Sequence, residues 1–197
     1  MFIISAPSGA GKTTLCDTII REMPGLRESV SFTTRRPRTG EVADRDYTFI
    51  SEQEFRSMID RGDFVEWAVV HGNFYGTSRS RLEGIRNDGL DVMLDIDVQG
   101  ARQIRESYSG GVYIFVLPPS MEALRDRLER RGSNTRDDME RRLARAAEEI
   151  RHYEMFDYVI VNDVIEDAVK NLGSVIKAER LRRVNIDREW LKKNFLG

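Results

Sequence analysis

The segment FIISAPSGAGKTT at residues 2–14 constrains the fold of this chain most strongly. An apolar run at residues 2–5 predicts a buried strand, and the Pro, Ser and Gly residues that follow predict a turn. An amphipathic helix then runs to about Met23, where Pro24 and Gly25 end it. Strand–helix alternation of this kind at both ends of the chain predicts a parallel sheet covered by helices on both faces.

The middle of the chain interrupts this alternation. Residues 29–33 and 47–51 are short strand candidates, and Ser51 with Glu54 forms a capping-box pattern at the start of a helix. Residues 64–78 alternate in polarity around a Gly-Asn turn and predict a hairpin. The 197 residues therefore suit a single α/β domain with a small mixed α+β insertion.

The first turn also has the spacing of a phosphate-binding P-loop, x-x-x-x-G-K-T. Glycines let successive backbone N–H groups converge on phosphate oxygens, and the helix N-terminus adds partial positive charge. Lys12 can neutralise the outer phosphates, and Thr13 can bind Mg²⁺. The alternative is a strand–turn–helix junction whose glycines serve only the turn. The expected nucleotide-binding residues are Ala6, Pro7, Ser8, Gly9, Ala10, Gly11, Lys12, Thr13 and Thr14.

Charge, hydropathy and cysteine content limit the partners of the chain. A formal net charge of −2 provides no global field that attracts nucleic acid. The longest apolar runs, YIFVL and YVIV, are far too short to span a membrane, and the initial MFIIS lacks the pattern of a signal peptide. The single cysteine, Cys16, fits a reducing compartment. We therefore expect a cytoplasmic protein with no nucleic-acid or membrane partner.

A second candidate site lies in the segment FTTRRPRTG, which reads as a loop. Arg35, Arg36 and Arg38 lie within four positions and repel one another unless an anion lies among them. Arginine holds phosphate in bidentate fashion, and the hydroxyls of Tyr47 and Tyr75 can donate to the same group. The loop therefore indicates a second phosphate site for an acceptor, and the alternative is a solvated basic loop.

A P-loop alone leaves open a kinase, a GTPase and an ATP-driven motor. The chain contains no Asn-Lys-x-Asp segment of the kind that reads guanine in GTPases, and a motor usually needs a longer chain. A second phosphate site favours a kinase.

Several segments together resemble guanylate kinase. They are SVSFTTRRPRTGE, DYTF, EWAVVHGNFYGTS, LDIDVQG, RRGSN and YVIVND, and the resemblance extends over residues 2–183. It implies direct in-line transfer of a phosphoryl group from ATP to GMP, and to dGMP, with Mg²⁺ as cofactor. It also implies a P-loop nucleoside kinase core, a GMP-binding subdomain and a helical lid. The corresponding ranges are 1–33, 91–130 and 155–197 for the core, about 34–90 for the subdomain and about 131–154 for the lid.

The resemblance also assigns roles within the acceptor site. Arg35, Arg38, Tyr47 and Tyr75 bind the GMP phosphate, while Ser31, Glu66 and Thr77 read the base. These base readers make chemical sense, because a carboxylate accepts from the guanine N1 and N2 donors and hydroxyls donate to its acceptors. Adenine would instead present an acceptor to the carboxylate. The full GMP-binding set is Ser31, Arg35, Arg38, Tyr47, Glu66, Tyr75, Thr77 and Asp97.

The donor side is assigned in the same way. The strand VMLDID resembles the acidic strand end of P-loop enzymes, so Asp95 and Asp97 are expected to hold Mg²⁺ or its waters together with Thr13. Asp97 can equally approach the acceptor, and both acids can simply be solvated at a strand end. Asn162 corresponds to a residue near the adenine of ATP, although it can equally cap a turn. The expected catalytic residues are Lys12, Arg38 and the two lid arginines, Arg131 and Arg142.

Two other functions remain open at this stage. One is a non-catalytic guanylate-kinase-like module that binds proteins, although such modules typically lose the phosphate loop. The other is a related P-loop kinase that acts on a ribose phosphate. We expect ATP and GMP as the partners, with the chain a monomer or a homodimer.

Overall fold

The computed structural model describes residues 1–70, 72–108, 110–130 and 136–197. In chain order the strands are β1 (Phe2–Ser5), β2 (Leu26–Glu28), β3 (Phe32–Thr33), β4 (Thr48–Phe49), β5 (Phe64–Val70), β6 (Asn73–Ser78), β7 (Asp91–Asp95), β8 (Val112–Leu117) and β9 (Tyr158–Val161). The α-helices are α1 (Lys12–Glu22), α2 (Glu52–Asp60), α3 (Arg79–Asn87), α4 (Val98–Ser107), α5 (Met121–Arg130), α6 (Arg136–Ile150), α7 (Ile165–Arg180) and α8 (Arg188–Leu191).

Five parallel strands form the central sheet in the order β2-β7-β1-β8-β9. Neighbouring side chains on a strand point to opposite faces, so β1 divides its apolar residues between two cores. Phe2 and Ile4 pack with residues of α1 and α7 on one face. Ile3 packs with residues of α3 and α4 on the other face. This arrangement confirms the predicted α/β core with helices on both faces.

A second, four-stranded sheet has the order β4-β3-β6-β5 and mixes parallel and antiparallel pairs. The predicted hairpin is confirmed as the antiparallel pair of β5 and β6. Helix α2 packs on this sheet through Phe55 and Met58, and the Ser51 hydroxyl caps it by accepting from the Glu54 N–H at 3.2 Å. The sheet begins at Phe32, two residues before the boundary expected from the sequence.

One strand prediction was wrong in its position. The sequence favoured residues 29–33 as one strand, but the chain forms β2 before them and β3 only at their end. Gly25 adopts φ 77°, which turns the chain sharply after α1 and places Leu26 beside Asp91 of β7. Strand β2 therefore pairs with the central sheet, whereas β3 pairs with the second sheet.

Helices α5 and α6 pack together through a small apolar cluster, which includes Leu124, Leu128, Met139 and Leu143. Within the described ranges, no helix has both the length and the apolar character that crossing a membrane requires.

Candidate active site

The P-loop lies between β1 and α1, at the carboxyl edge of the central sheet. Gly9 and Gly11 have φ values of 97° and 88°, which L side chains rarely adopt. A Cβ on Gly9 would lie 2.9 Å from a methyl carbon of Leu124, and one on Gly11 would lie 2.5 Å from Nδ2 of Asn162. The two glycines are therefore required by backbone conformation and by close packing.

Two side chains from distant elements brace the P-loop at Ala10. The amide of Asn162 is buried and donates to the Ala10 carbonyl at 2.8 Å. Arg127 of α5 donates to the same carbonyl at 3.3 Å and to the Asn162 carbonyl at 2.8 Å. Sequence reasoning placed Asn162 near the adenine and did not find Arg127. In this structure, Asn162 supports the loop that we expect to hold the phosphates.

Lys12 links the P-loop to the acidic end of β7. Its ammonium forms an ion pair with Asp95 and donates to the Ile96 carbonyl at 2.8 Å. Burial alone would lower the pKa of Lys12, but the Asp95 carboxylate outweighs it and raises that pKa. The ammonium therefore stays charged in the cleft.

Asp97 lies just beyond β7 and caps helix α4. Its Oδ1 accepts from the Gly100 N–H at 2.9 Å, and its Oδ2 accepts from the Gln99 amide at 3.1 Å. Thr13, in the first turn of α1, is exposed. Neither carboxylate at the β7 end is simply solvated, because Asp95 pairs with Lys12 and Asp97 caps a helix.

The donor set suits Mg²⁺ bound together with a nucleotide. Among the described residues, no group of three or more His, Cys, Asp or Glu side chains could hold a metal ion. Mg²⁺ typically keeps several waters and takes one or two carboxylates together with substrate phosphates. Thr13, Asp95 and Asp97 therefore fit a metal that arrives with a nucleotide.

Helix α6 reaches over the P-loop. Arg142 donates to the Ser8 hydroxyl at 2.9 Å, and the Ser8 N–H donates to the carboxylate of Glu149. Burial raises the pKa of Glu149, and Arg145, which donates to it at 3.1 Å, opposes that shift. Sequence reasoning found Arg142 but missed Glu149. The predicted catalytic Arg131 lies outside the described residues.

The arginine loop contains its own anion. Arg35 donates to both carboxylate oxygens of Glu41 at 3.0 and 2.8 Å, and the Arg38 N–H donates to Glu41 at 2.7 Å. This pairing, above all with Arg35, lowers the pKa of Glu41 despite partial burial. Sequence reasoning missed Glu41, although a carboxylate three residues after the last arginine was a visible signal. The side chains of Arg36 and Arg38 are exposed.

Two tyrosines complete a cluster around Arg35. Its Nε donates to the Tyr75 hydroxyl at 3.1 Å, and its guanidinium lies 5.3 Å from the Tyr47 ring centre. Burial and then the Asp95 carboxylate raise the pKa of Tyr47 to about 12, while Lys12 opposes this shift. The rings of Tyr47 and Tyr75 lie 5.8 Å apart, so the charges at the end of β7 act on a member of the arginine–tyrosine cluster.

The predicted base readers lie on β5, on β6 and just before β3. Glu66 is only 5% exposed and pairs in register with Thr77, whose hydroxyl donates to its Oε1 at 2.5 Å. Burial raises the pKa of Glu66 to about 7, with a smaller contribution from Asp97, while the Thr77 hydrogen bond opposes it. Ser31 is half-buried, and its carbonyl accepts from the Thr48 N–H at 2.9 Å.

The second sheet carries residues predicted for both parts of the acceptor site. Tyr75 and Thr77 are two positions apart on β6, so their side chains share one face about 7 Å apart. A phosphate group and a planar base of one ligand can therefore contact the same strand.

One further acid near the cleft was not found from the sequence. Glu28 ends β2 in the central sheet, next to β7. Burial, and then the carboxylates of Asp95 and Asp17, raise the pKa of Glu28 to about 7.

Comparison with known proteins gives one consistent family. A family model described as guanylate kinase matches residues 1–179. The chain is 59% identical to a guanylate kinase of Geobacter metallireducens over 94% of its own length and 92% of that protein. It is also 49% identical to a guanylate kinase of Cupriavidus metallidurans, over 92% of its own length and 84% of that protein. The crystal structure of guanylate kinase from Anaplasma phagocytophilum matches 99% of the chain and 94% of that protein, with a TM-score of 0.82 and 35% identity. The resemblance inferred from the sequence motifs is therefore confirmed, and the chain belongs to the guanylate kinase family.

Proposed function

We propose that this protein transfers the terminal phosphoryl group of ATP to GMP, giving ADP and GDP. One observation carries the proposal: Lys12 of the P-loop pairs with Asp95 at the end of β7, and the buried Glu66 lies against Gly100, whose N–H donates to Asp97 just beyond that strand. The arginine–tyrosine cluster adjoins the same site through Tyr75, which shares β6 with Thr77, the hydrogen-bond partner of Glu66. This arrangement provides one anion site for a donor, a second for an acceptor, and a carboxylate beside the second. Family membership supports the same reaction.

The chemistry needs positioning and charge stabilisation rather than a general base. The acceptor is already a phosphate oxyanion, so no proton has to be removed before it attacks. Lys12, Arg38 and the lid arginines Arg131 and Arg142 share the negative charge that develops on the transferred group. Thr13, Asp95 and Asp97 would hold Mg²⁺, partly through water, and the bound ion would supply further charge neutralisation. Ala6 to Thr14 hold the donor phosphates, and Asn162 fixes the conformation of that loop.

Acceptor selectivity follows from the buried carboxylate. Glu66 accepts from the N1 and N2 donors of guanine, while the hydroxyls of Ser31 and Thr77 donate to the base. Arg35, Arg38, Tyr47 and Tyr75 hold the acceptor phosphate. Adenine would place its N1 acceptor against the carboxylate and leave a buried charge unpaired, which discriminates by roughly 10⁴-fold in sites of this kind.

Water must be excluded, because it would otherwise accept the phosphoryl group. The hydrogen bond from Arg142 of α6 to Ser8 of the P-loop supports a lid at this position. We propose residues 131–154 as this lid, residues 34–90 as the acceptor subdomain and the remainder as the core. The single buried Cys16 favours a cytoplasmic location.

The test is ADP formation from Mg·ATP with GMP, dGMP, AMP, CMP, UMP and a ribose bisphosphate as acceptors. We expect turnover with GMP and dGMP and a large preference over AMP. Absence of turnover with every acceptor, in protein that still binds GMP, would refute the proposal. Equal use of GMP and AMP would refute the role of Glu66.

A further inference from the structure

Gln103 of α4 binds the main chain of β5 in the manner of a neighbouring strand. Its Nε2 donates to the Trp67 carbonyl at 2.7 Å, and its Oε1 accepts from the Trp67 N–H at 3.2 Å. Strand β5 is at the edge of the second sheet, where β6 is its only described neighbour. The Gln103 amide therefore satisfies both polar groups of one residue on the open edge of that strand.

The residue held in this way adjoins the base-reading carboxylate. Trp67 directly follows Glu66, so fixing the Trp67 main chain also fixes the Cα position of Glu66. The Thr77 hydrogen bond restrains one oxygen of the same carboxylate. Glu66 is thus held from β6 through its side chain and from α4 through its backbone.

Helix α4 also contacts Glu66 directly. A Cβ built on Gly100 would lie 3.0 Å from Cδ of Glu66 and would overlap one of its carboxylate oxygens. Gly100 and Gln103 are three residues apart, so they lie on the same face of the helix. One provides space for the carboxylate, and the other secures the strand that carries it.

The helix itself is firmly attached to the core. Ala101 and Ile104 are fully buried against the central sheet, and Asp97 caps the helix N-terminus. Gln103 therefore joins the second sheet to the rigid core at the point where the base is read. A connection within the second sheet alone would leave Glu66 free to move with that sheet.

We propose that Gln103 is a positioning residue for purine selectivity, acting through the main chain of Trp67 on Glu66. Resting on the function proposed above, this inference assigns to Gln103 the discrimination of guanine from a purine that lacks the 2-amino group. A displaced carboxylate can still accept from N1, but it loses the geometry needed to accept from N1 and N2 together. Gly100 is the second requirement, because any side chain there displaces the carboxylate.

The test compares GMP with inosine monophosphate, which differs from it only in lacking the 2-amino group. We would measure kcat/KM with both acceptors, and the KM for ATP, in four proteins. They are the wild type, Gln103→Ala, Gln103→Glu and the control Glu106→Ala. Calorimetric titration with each nucleotide measures binding independently of turnover. Glu106 is an exposed residue of the same helix, so its replacement controls for helix stability. Gln103→Glu keeps the size of the side chain but cannot donate to the Trp67 carbonyl.

We expect both Gln103 variants to lower the preference for GMP over inosine monophosphate, taken as the ratio of the two kcat/KM values, by roughly tenfold. This is the effect of weakening one hydrogen bond to a charged group. The KM for ATP of both Gln103 variants should stay within about twofold of wild type. All constants of Glu106→Ala should do the same, because substitutions of exposed residues usually have small effects. Should Gln103→Ala fail to fold, Gln103→Glu carries the test. If both variants keep the wild-type preference for GMP over inosine monophosphate, the inference is overturned and the proposed function stays intact. Selective GMP binding without turnover in wild type refutes the proposed function, and loss of that selectivity in the variants still supports the inference.

Discussion

Replacing Glu66 with Gln should stabilise the unliganded protein at alkaline pH while impairing its use of GMP. The Glu66 carboxyl is 5% exposed, and burial raises its pKa from 4.5 to about 7. A raised pKa means that the folded protein binds the proton more tightly than the unfolded chain does. Ionisation therefore destabilises the fold once the pH exceeds 4.5, and the penalty grows until the pH passes the folded pKa.

The magnitude follows from the difference between the two pKa values. A shift from 4.5 to about 7 corresponds to a penalty on the order of 3 kcal/mol at pH 8. The same shift costs less than about 1 kcal/mol at pH 5, because that pH is only about half a unit above the unfolded pKa and the folded group is still protonated. Gln carries no charge and its carbonyl can still accept from Thr77, so Glu66→Gln should raise the Tm by roughly 6–12 °C at pH 8 for a domain of this size.

Thermal unfolding by circular dichroism from pH 5 to pH 8 measures this effect, with Glu106→Gln as an exposed carboxylate control. The difference between Glu66→Gln and wild type should shrink as the pH falls, whereas the control should follow wild type throughout. A difference that does not depend on pH, or a variant less stable than wild type at pH 8, would refute the assignment of the charge penalty to Glu66.

The same titration predicts how the wild type uses GMP. Only the ionised carboxylate accepts from both guanine donors, so kcat/KM for GMP should fall about tenfold between pH 8 and pH 6 as the group protonates. Glu66→Gln should remove this dependence and lower the use of GMP more than the use of other acceptors. Equal losses with every acceptor would contradict a role in reading the base.

Three further changes test other parts of the site. Lys12→Ala should lower kcat roughly a hundredfold or more, because negative charge on the transferred phosphoryl group is left uncompensated. Its far-UV circular dichroism should stay native, and unchanged turnover in the folded variant would exclude a role for Lys12 at the phosphates. Glu41→Gln should raise the KM for GMP but not the KM for ATP, because Arg35 and the main-chain N–H of Arg38 lose a shared carboxylate. Equal changes in the two KM values would contradict a role for Glu41 in ordering the acceptor site. Gly11→Ala should lower the free energy of unfolding by about 1 kcal/mol or more, since the position has a positive φ, and a gain in denaturant midpoint would contradict it.

Local patterns in the sequence predicted the parts of the site that depend on neighbouring residues. The P-loop is set by Gly9, Gly11 and Lys12 between a strand and a helix, so its spacing alone identifies it. The hairpin that carries Glu66 and Thr77 is likewise encoded by alternation around a turn. Each of these features extends over fewer than two dozen residues, and tertiary packing was not needed to find it.

Long-range partners could not be predicted in this way. Arg127 is 117 residues from Ala10 in sequence, and Gln103 is 36 residues from Trp67. Neither residue has a distinctive neighbourhood in the sequence, because exposed Arg and Gln are common on amphipathic helices. Their roles depend on which helix packs beside which strand, and that arrangement appears only when the two sheets are assembled.

The arginine loop shows why a cluster of cations alone does not identify a phosphate site. Glu41 already supplies an anion for Arg35, and it also accepts from the main-chain N–H of Arg38, so this part of the loop is stabilised without any ligand. Four of the five N–H groups of Arg35 are engaged, by Tyr75, by the Arg36 carbonyl and twice by Glu41. A bound phosphate would therefore meet the remaining N–H of Arg35, the tyrosine hydroxyls and the exposed Arg38. Since Glu41 holds Arg35 in a fixed orientation, the loop presents its remaining donor without first having to order a flexible side chain, and this favours a rigid acceptor site over a solvated basic loop.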